Sequence, residues 1–182
     1  MESKINEINN MFCSKILTRN GDTEEYFLTI KREVVGNRVR LNYVLENSNE
    51  KVARVSIYHS FNDEEMQKKW HFFGYSEVPE SMFEIDNLYV EPKFRSAGIG
   101  TAFINQIMKS INDFDKTQNL KSKIVLVRLN TPDAAAFFDK WNARENDEFF
   151  NLNNSSTRMI IDTPKVIPAN NFVESKSPQE MQ

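Results

Sequence analysis

Apolar residues recur along this chain with two periods, and each change of period marks an element. Residues 3–17 carry Ile5, Ile8, Phe12 and Ile16 at spacings of three and four, which predicts a short amphipathic helix ended by Asn20-Gly21-Asp22. Strands are expected over 26–35, 38–46 and 52–59, with Gly36-Asn37 and Asn47-Ser48-Asn49 as the turns between them. In the second of these, Val39, Leu41, Tyr43 and Leu45 alternate with polar residues, the pattern of a half-buried antiparallel strand. Residues 61–81 open on Asn62-Asp63-Glu64-Glu65, a capped turn, and set Trp70, Phe72, Phe73 and Tyr75 among charges. They read as an insertion whose aromatic residues fold back on the sheet, with a substrate-binding loop as the alternative.

Phe83, Ile85, Leu88 and Val90 define a further strand, and Pro92 ends its ladder by removing a donor. From Ile99 the period becomes helical, through Phe103, Ile104, Ile107, Met108 and Ile111, to about residue 113, before a polar loop over 113–122. The unbroken run 124–127 predicts a strand covered on both faces, so that strand, helix and strand form a right-handed parallel crossover. Thr131-Pro132-Asp133 combines cap, proline at the first position and carboxylate at the dipole's positive end; Ala134, Phe137, Phe138 and Trp141 give the helix that follows its apolar face. Residues 149–152 and 158–162 are expected to pair as a hairpin across Asn153-Asn154-Ser155-Ser156. One domain over 1–163 and a flexible tail over 164–182 complete the expected organisation.

Composition narrows the function classes. With 182 residues, 40% hydrophobic and 27% charged, the chain matches a soluble globular domain able to bury a core. No run approaches the roughly 18 apolar residues of a membrane span, and no signal-peptide core is evident, so no membrane partner and a cytoplasmic location are expected. A net charge of −3 argues against a large nucleic-acid surface. Cys13 is the lone cysteine and reads as a small apolar residue, and His59 and His71 are too few for a histidine-based zinc site, so no metal is expected.

The chemistry gathers in residues 82–101, where a strand gives way to a small-residue loop and a helix start. Free N–H groups of a first helical turn favour an anion, and glycines let phosphate oxygens approach the backbone. Neither Gly-x-x-x-x-Gly-Lys-Ser/Thr nor Gly-x-Gly-x-x-Gly is present. The pattern that is present, Arg95-x-x-Gly98-x-Gly100 after Val90-x-Pro92, resembles the pyrophosphate loop of the GNAT superfamily of acyl-CoA-dependent N-acyltransferases. In detail the resemblance covers residues 82–162.

That resemblance implies an α+β fold, a mixed antiparallel and parallel sheet flanked by helices, with acetyl-CoA as cosubstrate and an amine-bearing small molecule or protein as acceptor. Carried over by position, it puts the main chain of Leu88, Tyr89 and Val90 along the pantetheine arm, the Leu88 N–H facing the thioester oxygen. It wraps Arg95, Ser96, Ala97, Gly98, Ile99, Gly100 and Thr101 round the diphosphate, and flanks the thiol arm with Asn130 and Phe137. Glu84 and Asp86 are the candidate bases, since an alkylammonium with a pKa of about 10.4 must lose a proton before it can attack. Two apart on a strand, they share a face about 6.6 Å apart unless a bulge intervenes. The tyrosine that protonates the departing thiol in many members is replaced by Phe137 or Phe138, leaving Tyr75, Tyr89 or water as substitutes. Its loss also keeps open a second reading, an acetyl-CoA-binding sensor or interaction module without turnover. Glu64, Glu65, Glu77 and Glu80 lean toward a cationic acceptor. The sequence leaves open whether the final hairpin pairs within one chain or in a homodimer.

Overall fold

The computed structural model describes residues 15–19, 24–36, 38–61, 64–72, 77–95, 98–129, 132–145, 157–168 and 172–176. Their strands are β1 (Lys15–Arg19), β2 (Glu25–Val35), β3 (Arg38–Glu46), β4 (Lys51–Phe61), β5 (Ser81–Val90), β6 (Ser122–Leu129), β7 (Arg144–Glu145), β8 (Thr157–Ile161) and β9 (Phe172–Lys176). The helices are α1 (Glu64–Phe72), α2 (Ile99–Gln118) and α3 (Pro132–Phe138). All nine strands join one sheet in the order β7-β8-β6-β5-β4-β3-β2-β1-β9, in which only β5 and β6 run parallel.

The alternation read from the sequence sorts the two faces. Val39, Leu41, Tyr43 and Leu45 of β3 and Val55 and Ile57 of β4 are buried on one side, where α2 lays Phe103, Ile104, Ile107, Met108, Ile111 and Phe114 against them. Apolar area of that size, at roughly 1.5–3 kcal/mol per fully buried large side chain, fixes α2 to the sheet. On the opposite side α1 buries Met66 and Trp70 over Met82, Val125 and Ile160. Trp70 thus folds back on the sheet as expected. The apolar run 124–127 is covered on both faces because Ile124 and Leu126 meet α2's core while Val125 meets α1's.

Three expectations meet a different structure. Residues 15–17, expected in a helix, belong to β1, whose backbone pairs with β2 and β9; short-range periodicity there gives way to sheet pairing. Helix α2 runs to Gln118 rather than residue 113, because Phe114 continues its buried stripe and Asn119, at φ 52°, closes it in the left-handed region. Asp115, expected in a loop, is therefore helical. Strand β8 pairs with β6 and with β7, while the expected hairpin partner at 149–152 lies outside the described residues. The stretch expected as a tail beyond residue 163 contains β9, which pairs with β1 through its backbone.

Two polar clusters tie the layers together. Buried Asn105 on α2 donates to the Ile167 carbonyl (2.7 Å) and accepts from the Ile167 N–H (3.1 Å) and Trp141 Nε1 (3.3 Å). At the start of β5 and β6, His59 Nε2 lies 2.8 Å from Ser81 Oγ, which is 2.8 Å from Ser122 Oγ. Ser122 gives its hydroxyl proton to Asp115 Oδ1 (2.5 Å) and its N–H to Oδ2 (2.9 Å). Burial pushes the Asp115 carboxyl above its ordinary range, against the lowering effect of both bonds from Ser122.

Truncating Asn105 to alanine removes three bonds from a buried site, and denaturant unfolding should show a loss of about 2–4 kcal/mol. For Asp115 the folded state holds the proton more tightly than the unfolded chain. Its contribution to stability is therefore greatest below the ordinary carboxylate range and falls as pH rises through the raised folded value. Urea titrations across pH should show that slope in the native chain and its loss in Asp115→Asn.

Candidate active site

The site arises where β5 stops behaving as an ordinary strand. Ser56 pairs with Asp86 but Arg54 pairs with Tyr89, so Asn87 and Leu88 together oppose Val55. This β-bulge needs one residue off the extended conformation, and Asn87 supplies it at φ 55°, a region asparagine tolerates better than most residues. The bulge resets the alternation: Phe83 and Ile85 face the α2 core, and after it Leu88 and Val90 pack there too. It lies beyond Asp86, so Glu84 and Asp86 remain on one face.

At the same level the parallel pairing ends. Register between β5 and β6 runs from Ser81–Ser122 to Ile85–Leu126 and no further, although the strands continue to Val90 and Leu129. A cavity of about 1290 Å³ opens there. Its wall includes Ile85, Leu88, Phe137 and Phe138 from the core side, and Arg40, Asn42, Arg54, Ser56 and Val127 from the opposite face, so the cleft passes through the plane of the sheet. Asp133 is the only acidic residue on this wall among the described residues.

Backbone geometry aims donors into it. The Glu91 N–H bonds the Val52 carbonyl (2.9 Å) while Val90 stands opposite Ala53, which makes Val90 a non-hydrogen-bonded pair member. Its N–H and carbonyl therefore face β6 and the cleft, and Arg95 Nε donates to that carbonyl (2.8 Å). Gly98 caps α2 at φ 79°, in the left-handed region, with open space where a Cβ would stand. Gly100 lies between two side chains, a Cβ there falling 3.4 Å from the Phe137 ring and 3.6 Å from Val90. Lys140 Nζ donates to Thr101 Oγ1 (3.2 Å) and sits 5.0 Å from the Phe137 ring centre.

Leu88, Tyr89, Val90, Arg95, Gly98, Gly100, Thr101 and Phe137, each expected from the sequence, line one cleft. Ile99 turns into the core instead, 1% exposed. Ser96, Ala97 and Asn130 lie outside the described residues, as does Tyr75. Neither Glu84 nor Asp86 is on the cavity wall. Glu84 Oε2 is 3.8 Å from Arg38 Nη1, and Asp86, 2% exposed, stands opposite Ser56, which does line the cleft. Sequence reading missed Arg40, Asn42, Arg54, Ser56 and Lys140. Alternation assigns the first four to the polar face of their strands, but which strand neighbours β5 is a matter of sheet order.

The model of the acetyltransferase (GNAT) family matches residues 11–143, and the chain belongs to that family. It is thereby an acyltransferase by class, with the mixed sheet and flanking helices of that fold. No curated protein matches it. Among solved structures it is similar to FeeM, an N-acyl amino acid synthase from uncultured soil microbes, with 8% identity and a TM-score of 0.46 over 72% of this chain and 70% of that one. It is also similar to Arabidopsis thaliana NAA60 in complex with acetyl-CoA, with 16% identity and a TM-score of 0.44 over 69% and 76% of the two chains.

Gly100→Val would fill the gap between Val90 and Phe137 at the mouth of the cleft. Calorimetry should show acetyl-CoA binding weakened about tenfold or more, while the melting temperature falls far less than a buried core truncation would lower it.

Proposed function

We propose that this chain is an acetyl-CoA-dependent N-acetyltransferase that acts on a primary amine by direct attack. The observation that carries the reading is the divergence of β5 from β6 beside a glycine-bearing helix start, with backbone donors turned into the gap. The residues fit such a cosubstrate: Gly98 leaves its surroundings open, Gly100 brings backbone close to the cleft, and the Val90 N–H faces it. Gly98, Gly100, Thr101 and the first N–H groups of α2 would hold the diphosphate. The Val90 N–H would bond the pantetheine amide, and the Leu88 N–H the thioester oxygen as negative charge develops there. Bound acetyl-CoA supplies an activated acyl carbon.

The rest falls to the chain's own groups and the acceptor. The amine approaches from the face carrying Asn42 and Ser56 and must shed a proton, since roughly one alkylammonium in a thousand is deprotonated near neutral pH. Asp86 is the better-situated base, next to Asn87 on the cleft wall and across from Ser56. Glu84, held beside Arg38, is the alternative. As the nitrogen–carbon bond forms and the carbon–sulfur bond breaks, the amine's proton passes through the carboxylate to solvent and the thiolate leaves. A thiol with a pKa of about 8.5 leaves without a strong acid, so phenyl rings at Phe137 and Phe138 are compatible with turnover. Tyr89, on the cleft wall, is one hydroxyl that would assist.

Calorimetry with acetyl-CoA, then thiol release against a panel of amines, tests the reading. Glu84→Gln with Asp86→Asn should lower kcat near neutral pH by about a hundredfold or more while acetyl-CoA affinity is unchanged. Unchanged turnover would remove both carboxylates from the mechanism. Acetyl-CoA binding without turnover of any amine would favour a sensor, and absence of binding would end the assignment.

A further inference from the structure

The half of the cleft away from the helix start is built from arginine. Arg40 of β3 and Arg54 of β4 both line it, with Asn42 and Ser56 on the rung between them, where Ser56 Oγ donates to Asn42 Oδ1 (2.9 Å). Both guanidinium groups lie against tyrosine rings: Arg40 Cζ is 5.6 Å from the Tyr58 ring centre, and Arg54 Cζ is 5.2 Å from that of Tyr89. A guanidinium stacked on a ring is held in orientation while its in-plane N–H groups remain able to grip an oxyanion.

These cations are poorly neutralised. Among the described residues Arg54 has no carboxylate within ion-pair distance. The carboxylate of Glu33 is 3.6 Å from Arg40, and that side chain is 53% exposed, so solvent screens the pair. Arg40 Nε is buried and has no hydrogen-bond partner among the described residues. Gly98, Gly100 and Thr101, which would hold the diphosphate, stand at the start of α2, and Arg95 of the same loop shares the Tyr89 ring with Arg54 at 5.6 Å, whereas Arg40 and Arg54 themselves project from β3 and β4 outside that loop. The glutamates that leaned toward a cationic acceptor, Glu64, Glu65, Glu77 and Glu80, are absent from the wall, and Glu64 pairs with Lys68 at 2.7 Å.

We propose that the acceptor is a small amine that itself bears an oxyanion, a carboxylate or a phosphate, seated on Arg40 and Arg54 with Asn42 and Ser56 beside it. This rests on the N-acetyltransferase reading and adds the substrate class to it. The anion fixes the acceptor by one end and turns its amine toward the sheet gap, and the same field repels polycationic amines.

The full chain should be assayed by thiol release with phenylalanine and glutamate, with phenylalaninamide, with 2-aminoethyl phosphate and ethanolamine, and with spermidine. Calorimetry on the chain saturated with coenzyme A gives the acceptor affinity independently of turnover. The amino acids or the aminoalkyl phosphate should exceed their counterparts lacking the anion by about tenfold or more in kcat/KM and in affinity, and whichever pair shows the difference identifies the anion. Arg40→Gln and Arg54→Gln should each raise the KM of the anionic acceptor by about tenfold, leave the KM of acetyl-CoA within about twofold, and abolish the preference over the amine that lacks the anion. Equal use of spermidine or ethanolamine would overturn the inference, as would arginine variants that raise the KM of acetyl-CoA instead. Acetyl-CoA that binds but shows no anionic preference sinks this inference alone; a chain that does not bind acetyl-CoA sinks the transferase reading and this one with it.

Discussion

A parallel strand pair that is bonded at one end and open at the other is the constraint on which this molecule depends. Polar backbone in the middle of a sheet is normally satisfied by its neighbour, because leaving it dry and unpaired is expensive. Here β5 and β6 give up that pairing after Ile85 and Leu126, in the centre of a nine-stranded sheet rather than at its rim. Such a gap persists only if its two walls are held apart by something stronger than the tendency of strands to zip. Burial supplies it: Phe83 and Ile85 before the bulge, and Leu88 and Val90 after it, all pack on the core that α2 builds. Sliding β5 to close the gap would take one of those sets out of the core, since a one-residue shift moves every side chain to the other face.

The through-sheet cleft then separates two chemistries that would interfere if they shared a surface. The core side offers glycines, a helix N-terminus and the flat rings of Phe137 and Phe138, suited to a long, thin, phosphate-ended ligand. The other side offers Asn42, Ser56 and arginines stacked on tyrosines. The bulge is the hinge between them, because it alone lets Leu88 face the core while Tyr89 and Arg54 meet on the opposite face. One asparagine in the left-handed region, Asn87, thus sets which backbone groups reach the gap.

What the sequence disclosed follows the range of the forces involved. Local signals were clear: alternation in β3, the helical stripe from Ile99, Pro92 as a stop and the glycines of the loop are each decided within a few residues. Helix α2 was underread because a polar stretch after Ile111 hides Phe114, whose burial depends on His59 and Phe83 far along the chain. Residues 15–17 of β1 carry the end of a helical spacing, because apolar spacing alone cannot tell which neighbour will bond the backbone. The loop half of the site lies in one continuous segment and was legible. Arg40 and Arg54 were not, since they come into register with β5 only through two successive antiparallel pairings.

The closed end of the diverging pair explains how the open end can be tolerated. Ser81 and Ser122, the first register partners of β5 and β6, are joined through their hydroxyls, with His59 of β4 on one side and Asp115 of α2 on the other. Each member bonds the next, which offsets much of the cost of burying these groups, and the chain of four links three strands and the helix at one point. Apolar packing would hold these elements together but would let them slide, whereas hydrogen bonds between named atoms fix the register at which β5 and β6 start. Four residues later that register has carried Ile85 and Leu126 to the last paired position, and the bulge begins two residues beyond Ile85. The position of the cleft along the sheet is thus set from its far end, by polar groups that never touch what the cleft holds.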